Sequence, residues 1–147
     1  MTQFKLEEFL PYRLNELSRA VSGGFSYHYR ERYGISVAEW RVVAHLSQED
    51  AVSVREITRR VGMDKPKVSR AASRLEAAGY VTKVVNASDR RLVELRLTKT
   101  GWGMIETLAP IAAEYDARLK ALLGADAEAF TRGVARLTQS TNERADT

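Results

Sequence analysis

Cysteine is absent from the chain, and histidine occurs only at His28 and His45. The first absence excludes a disulfide framework and any thiol-based switch, and it fits a reducing cytoplasm as the expected location. The two together leave only carboxylates to complete a transition-metal site, so no metal is expected. No apolar run approaches the ~20 residues that cross a bilayer, which argues against a membrane partner. The first eight residues, Met-Thr-Gln-Phe-Lys-Leu-Glu-Glu, lack the apolar centre of a secretion signal. There is no glycine-rich phosphate loop, and no nucleophile–base pair can be argued from spacing. Neither an enzyme nor a cofactor is therefore expected. Internal repeats and low-complexity segments are missing too.

What is present is a chain of 147 residues, long enough for one compact domain or for a subunit of an oligomer. Its net charge of +4 is modest but unevenly spread. Residues 53–99 hold 12 Lys/Arg against 5 Asp/Glu, a net +7, while the two flanks together carry −3. A basic middle between mildly acidic arms is the electrostatic footprint of a protein that meets a polyanion.

The basic stretch from Asp64 to Arg91 organises the rest. Asp64 can cap a helix by accepting from first-turn amides, and Pro66 is tolerated where no intrahelical amide bond is lost. At ~100° per residue Val68, Ala72 and Leu75 share one face, with Lys67, Arg70 and Arg74 nearly opposite. Gly79 supplies a helix exit through positive φ. Beyond it the period changes to two. Tyr80–Val85 and the alternation of Val93, Leu95 and Leu97 predict an antiparallel hairpin, whose polar connection carries Arg90 and Arg91. Each half alone could be an ordinary solvated surface. Side by side they suit duplex DNA, with a helix for the major groove and an arginine-bearing loop for the minor groove.

In order along the chain, a first helix is expected from about Glu7 to Tyr33. Pro11 lies in its first turn, Gly23-Gly24 is a soft point, and Leu10, Leu14, Leu17, Val21, Phe25 and His28 form its apolar face. Ser36-Val37-Ala38-Glu39 is a capping box opening a helix to about Ser47 that buries Trp40, Val43 and Ala44. Ser53-Val54-Arg55-Glu56 is a second box, starting a short helix with Val54, Ile57 and Val61 inward and Gly62 at its end. This helix and the Asp64 helix form a helix-turn-helix pair. Thr98 caps a helix from about Lys99 to Leu123, which Pro110 should kink. Its near-heptad apolar positions suggest a partner helix. Gly124 ends it, Asp126 caps a last helix to about Thr141, and the polar tail Asn142–Thr147 is expected to fray.

Taken together, Val54–Val61, Val68-Ser69-Arg70, Arg74-Leu75-Glu76, Gly79-Tyr80-Val81, Asp89-Arg90-Arg91 and Leu97-Thr98 with Gly101 resemble the MarR family of winged helix-turn-helix transcription regulators. The resemblance covers almost the whole chain and is specific as an ensemble rather than through any one motif. It implies a mainly α fold, with a winged helix-turn-helix and a two-stranded antiparallel wing over residues 35–99. Helices in 1–34 and 100–147 would form a dimerisation region. The apolar stripes of both arms, larger than one small winged helix can cover, point independently to a homodimer. Such a dimer would present two recognition helices ~34 Å apart and read a near-palindromic operator in double-stranded DNA.

On the recognition helix, Pro66, Lys67, Ser69 and Arg70 are the candidates for base edges. Arg70 is the one among them able to contact guanine bidentately. Lys65 and Arg74 suit phosphate. The resemblance further implies that Asp89 pairs with Arg91 and aims it into the minor groove, while Arg90 lies along the backbone. As a turn former, Asp89 can serve both roles. The resemblance also implies a small-molecule effector that relieves repression. Arg13 could clamp an anion such as an aromatic carboxylate, or instead form an intersubunit salt bridge. His28 and Trp40 face inward and could line a pocket or simply belong to the core. The competing functional reading is a winged-helix protein-interaction module without sequence-specific DNA binding.

Overall fold

The structure, a computed structural model, describes residues 2–145. Its packing divides the chain at Pro110 into two units, Met1–Pro110 and Ile111–Thr147. In the first unit a 3-10 turn at Leu6–Glu8 leads into helix α1 (Leu10–Tyr33). There follow α2 (Val37–Leu46), strand β1 (Val52–Ser53), α3 (Val54–Val61) and α4 (Lys65–Ala77). Strands β2 (Val81–Val85) and β3 (Val93–Leu97) and the start of α5 (Lys99–Leu123) complete it. The second unit holds the rest of α5, a 3-10 turn at Gly124–Asp126 and α6 (Ala127–Ala145).

Local chemistry sets most of these boundaries. Pro11 sits in the first turn of α1, where no helical amide bond is lost, and Gly34 ends the helix at φ 64°. Ser36 and Glu39 complete the reciprocal capping box of α2. The second expected box is only half formed. Ser53 Oγ accepts from the Glu56 amide, but the Glu56 carboxylate turns away to Arg59 and Arg60. Charge-assisted bonds to two guanidiniums outweigh a single bond to a backbone amide. Asp64 caps α4 through the Lys67 amide at 2.8 Å, as its position predicts.

The wing gains a strand that periodicity did not predict. Val52 and Ser53 pair with Leu95 and Glu94, giving a three-stranded antiparallel sheet in the order β1-β3-β2. Two residues are too few to show an alternation, and only the sheet edge offered by β3 makes them a strand. In the β2–β3 hairpin Val81 pairs with Leu97 and Val85 with Val93.

The core of the first unit lies where α2, α3, α4 and the sheet meet. Val42, Val43, Leu46, Ile57, Val68, Ala72, Leu75 and Leu95 are all fully buried along this seam. Trp40 and Ala44, expected inside, are only half-buried, and Val42 and Leu46 take their places. The reason is that α2 packs against α3, α4 and β3 together, so its buried face is wider than a single stripe. In α1 the expected apolar face is largely exposed, with Leu10, Leu14 and Leu17 all more than a third accessible. Tyr29 and Ser26 are its buried residues instead. In the second unit Phe130, Val134 and Leu137 line an exposed face of α6 at helical spacing. That helix runs to Ala145 rather than ending near Thr141, so the expected fraying of 142–145 is corrected. Asp146 and Thr147 lie outside the described residues.

The wing is stitched to the helices at one junction. Thr98 Oγ1 donates to the Gly79 carbonyl at 2.6 Å and accepts from the Gly101 amide at 3.1 Å, and the Thr98 amide donates to the Tyr80 carbonyl at 3.0 Å. Gly101 approaches that Tyr80 carbonyl so closely that a Cβ would overlap it. Backbone cannot retreat as a flexible side chain can. Gly101→Ala should therefore lower stability by about 1–3 kcal/mol, read as a fall in the thermal or urea midpoint. An unchanged midpoint would mean that this junction yields freely.

Candidate nucleic-acid interface

Helix α4 stands as a ridge with a groove on each flank. Its inner side is anchored by Val68, Ala71, Ala72 and Leu75, all buried. The two alanines let the helix lie close to its neighbours, and that packing turns the opposite side outward. Lys65, Pro66, Lys67, Arg70 and Arg74 are exposed, and Ser69 is half-buried.

The wing-side groove has a volume of about 340 Å³ and lies between α3, α4 and the sheet. It brings Lys65 and Ser69 together with Arg91, as a shared interface requires. It also adds Arg55, Thr58 and Lys83, which the sequence pattern did not single out. Lys83 Nζ donates to Ser73 Oγ at 2.8 Å, tying β2 to α4 across ten residues of chain. The alternation of β2 could have suggested that Lys83 leaves the outward face. Nothing in the sequence specified its partner.

The second groove, about 330 Å³, runs along the other flank. Lys67, Arg70, Ala71 and Arg74 form one wall, with Arg30 of α1 and Ser36–Glu39 of α2 opposite. The expected contact residues are thus divided between the two flanks. Pro66 and Arg90 line neither groove.

The wing tip is held by two short acceptors. Asn86 Oδ1 accepts from the Ser88 and Asp89 amides at 2.8 and 3.1 Å, fixing the turn. Asp89 Oδ1 then accepts from the Arg91 amide at 3.0 Å and from Arg91 Nε at 3.2 Å. The Asp89–Arg91 pairing is therefore present in the chain alone. Arg91 nevertheless stays 87% exposed, so the pair restricts its direction without covering its charge.

The residues considered for an effector are not gathered in the same way. Trp40 stacks on Tyr29 with centroids 5.3 Å apart, and Phe25 meets both rings edge-on. His28 lies against Phe25 at 5.9 Å. Arg13 is exposed, and fifteen residues of helix separate it from His28, about 22 Å at 1.5 Å per residue. Within one chain it does not share this aromatic cluster. Among the described residues no group of three or more His, Cys, Asp or Glu is placed to hold a metal ion.

Not every cation near the interface is available. Arg60 is bound by Glu49 at 2.6 Å and Glu56 at 3.0 Å, and Arg59 by Glu56 at 2.6 Å. Hydrogen bonds from Arg59 and Arg60 hold the Glu56 carboxyl at about 2, well below its ordinary 4.5. The folded-state value is depressed, so Glu56 contributes stability above the unfolded value of 4.5, and that contribution is lost as pH falls toward about 2. Replacing it by glutamine should flatten the acid limb of the thermal midpoint between those values. Equal pH dependence in wild type and Glu56→Gln would refute the clamp.

Comparison with known proteins places this geometry among relatives. Residues 33–92 match a family model described as MarR family. The HTH-type transcriptional regulator SarZ of Staphylococcus haemolyticus is 24% identical over 107 residues, covering 73% of this chain and 72% of that protein. The HTH-type transcriptional repressor MdtR of Bacillus subtilis is 32% identical over 71 residues, 48% of this chain and 46% of that protein. Among solved structures, a MarR/EmrR family transcriptional regulator from Acinetobacter sp. ADP1 superposes with a TM-score of 0.80 at 27% identity. That alignment covers 97% of this chain and 99% of the other.

Proposed function

Residues 33–92 match the MarR family model, and from that premise we propose that the chain is a homodimeric, sequence-specific DNA-binding regulator of this family that represses its own or neighbouring genes. The observation that carries the reading is the α4 ridge, cationic and exposed, with Arg91 of the wing facing the groove beside it. Lys67, Ser69, Arg70 and Pro66 meet base edges in the major groove. Arg70 supplies the bidentate contact to guanine. Lys65 and Arg74 bind phosphate and set the register. Asp89 directs Arg91 into the minor groove, and Arg90 follows the backbone. The exposed apolar faces of α1 and α6 are the surfaces through which two copies associate, doubling the site on a near-palindrome. Repression follows if the operator overlaps a promoter, and the name of MdtR supports that sign.

A small aromatic carboxylate is the proposed effector. The rings of Phe25, Tyr29 and Trp40 offer it stacking surface beside His28. Given the length of α1 between them, Arg13 would reach such a ligand from the partner subunit rather than from the same chain.

The test is fluorescence anisotropy on the duplex upstream of the protein's own gene and on a scrambled duplex, across a salt series. Specific binding should exceed scrambled binding by ~10³ or more. Arg70→Ala should cost about 1–3 kcal/mol on the specific duplex and little on the scrambled one, whereas Arg74→Ala should weaken both alike. No association with either duplex at low salt would defeat the regulator reading and leave the protein-interaction module in its place.

A further inference from the structure

We infer that Arg30, on the last turns of α1, is a DNA-backbone contact that completes a phosphate site on the flank of α4 away from the wing. The inference rests on the DNA-binding reading and extends it to a helix outside the helix-turn-helix and the wing.

A helix lodged in the ~12 Å major groove has a sugar-phosphate backbone on each side, so a protein that seats one needs cations on both flanks. On the wing side these are Arg55, Lys65, Lys83 and Arg91. On the other side α4 supplies Arg74, next to the base-edge candidates Lys67 and Arg70, and the facing wall contributes one cation, Arg30. Arg30 and Arg74 meet again where the same wall continues past Gly34, Ile35 and Ser36. Phosphate in this groove would therefore be held from two helices rather than one.

The charges in this groove are uncommitted. Among the described residues none of Arg30, Lys67, Arg70 and Arg74 has a carboxylate within ion-pair distance, in contrast to Arg59 and Arg60. The carboxylate that does line the groove, Glu39, is 8% exposed and accepts from the Ser36 amide and hydroxyl. It is held in the cap of α2 and does not neutralise the facing arginines. Four cations around an open groove of about 330 Å³ repel one another and favour an anion from outside.

A structural role for Arg30 exists, since a cation in the last turn of a helix complements the helix dipole. Salt dependence separates the two roles. Binding of wild type, Arg30→Gln, Arg30→Lys and Arg74→Gln is measured by anisotropy on the upstream and scrambled duplexes from ~20 to ~200 mM salt, with thermal midpoints in parallel. A phosphate-binding role predicts that Arg30→Gln weakens both duplexes by the same factor, roughly tenfold at low salt. The slope of log K against log salt becomes shallower by about 0.9 for each phosphate that the protein no longer neutralises, and Arg30→Lys restores it. A lower thermal midpoint with an unchanged slope would assign Arg30 to the helix dipole and overturn the inference. An unchanged slope in Arg30→Gln beside a reduced one in Arg74→Gln would overturn it while leaving the DNA-binding reading intact. Failure of wild type to bind either duplex would defeat both.

Discussion

The meeting of Thr98 and Gly101 with the Gly79–Tyr80 backbone is the constraint on which the rest of the first unit depends. One hydroxyl serves two helices, donating to the carbonyl that follows α4 and accepting from the first turn of α5. The glycine beneath it allows the two backbones to touch. Because β2 leaves this junction and β3 returns to it, the register of the wing is fixed relative to α4. The bond from Lys83 to Ser73 repeats the restraint further along the sheet. The proposed joint contact of a helix and a loop with one duplex would need this rigidity, since a small error at the base of a hairpin is magnified at its tip.

The distribution of charge matches that frame. Arg59 and Arg60 are paired with Glu49 and Glu56 on α3 and its approach. Among the described residues, the cations along the α1-facing flank of α4 have no carboxylate at ion-pair distance. A net +7 over the middle of the sequence therefore understates how sharply positive charge is focused, because part of it is neutralised away from the ridge. Arg91 is the intermediate case. Its partner Asp89 limits where it points while most of its surface remains open to a ligand.

Much of this was legible in one dimension. The Asp64 cap, the Ser36–Glu39 box, the glycine exits at Gly34, Gly62 and Gly79, and the boundaries of α5 all follow from local bonding preferences that act within a turn of helix. The outward face of α4 followed from its 3.6-residue period. The departures have two causes. Strand β1 exists only because β3 is there to pair with it, whereas Glu56 leaves its capping role for Arg59 and Arg60, three and four residues along its own helix. Val42 and Leu46 displaced Trp40 and Ala44 because α2 is covered by three elements at once. Arg13 and Trp40 could be assigned to one pocket from the sequence, but the rise of α1 keeps Arg13 far from His28 and the rings beside it.

The sequence by itself determined which segments are helices and which form the hairpin, where most of them stop, and that a basic helix and an arginine-tipped hairpin adjoin. These are consequences of neighbours along the chain, whose interactions need no long loop to be closed. Only the tertiary structure decided which cations face the same groove, which are already paired, and that Arg30, separated from α4 in sequence by two other helices, stands opposite Arg74. Such relations depend on packing between residues distant in sequence, and this is set by how the buried faces fit rather than by any local pattern.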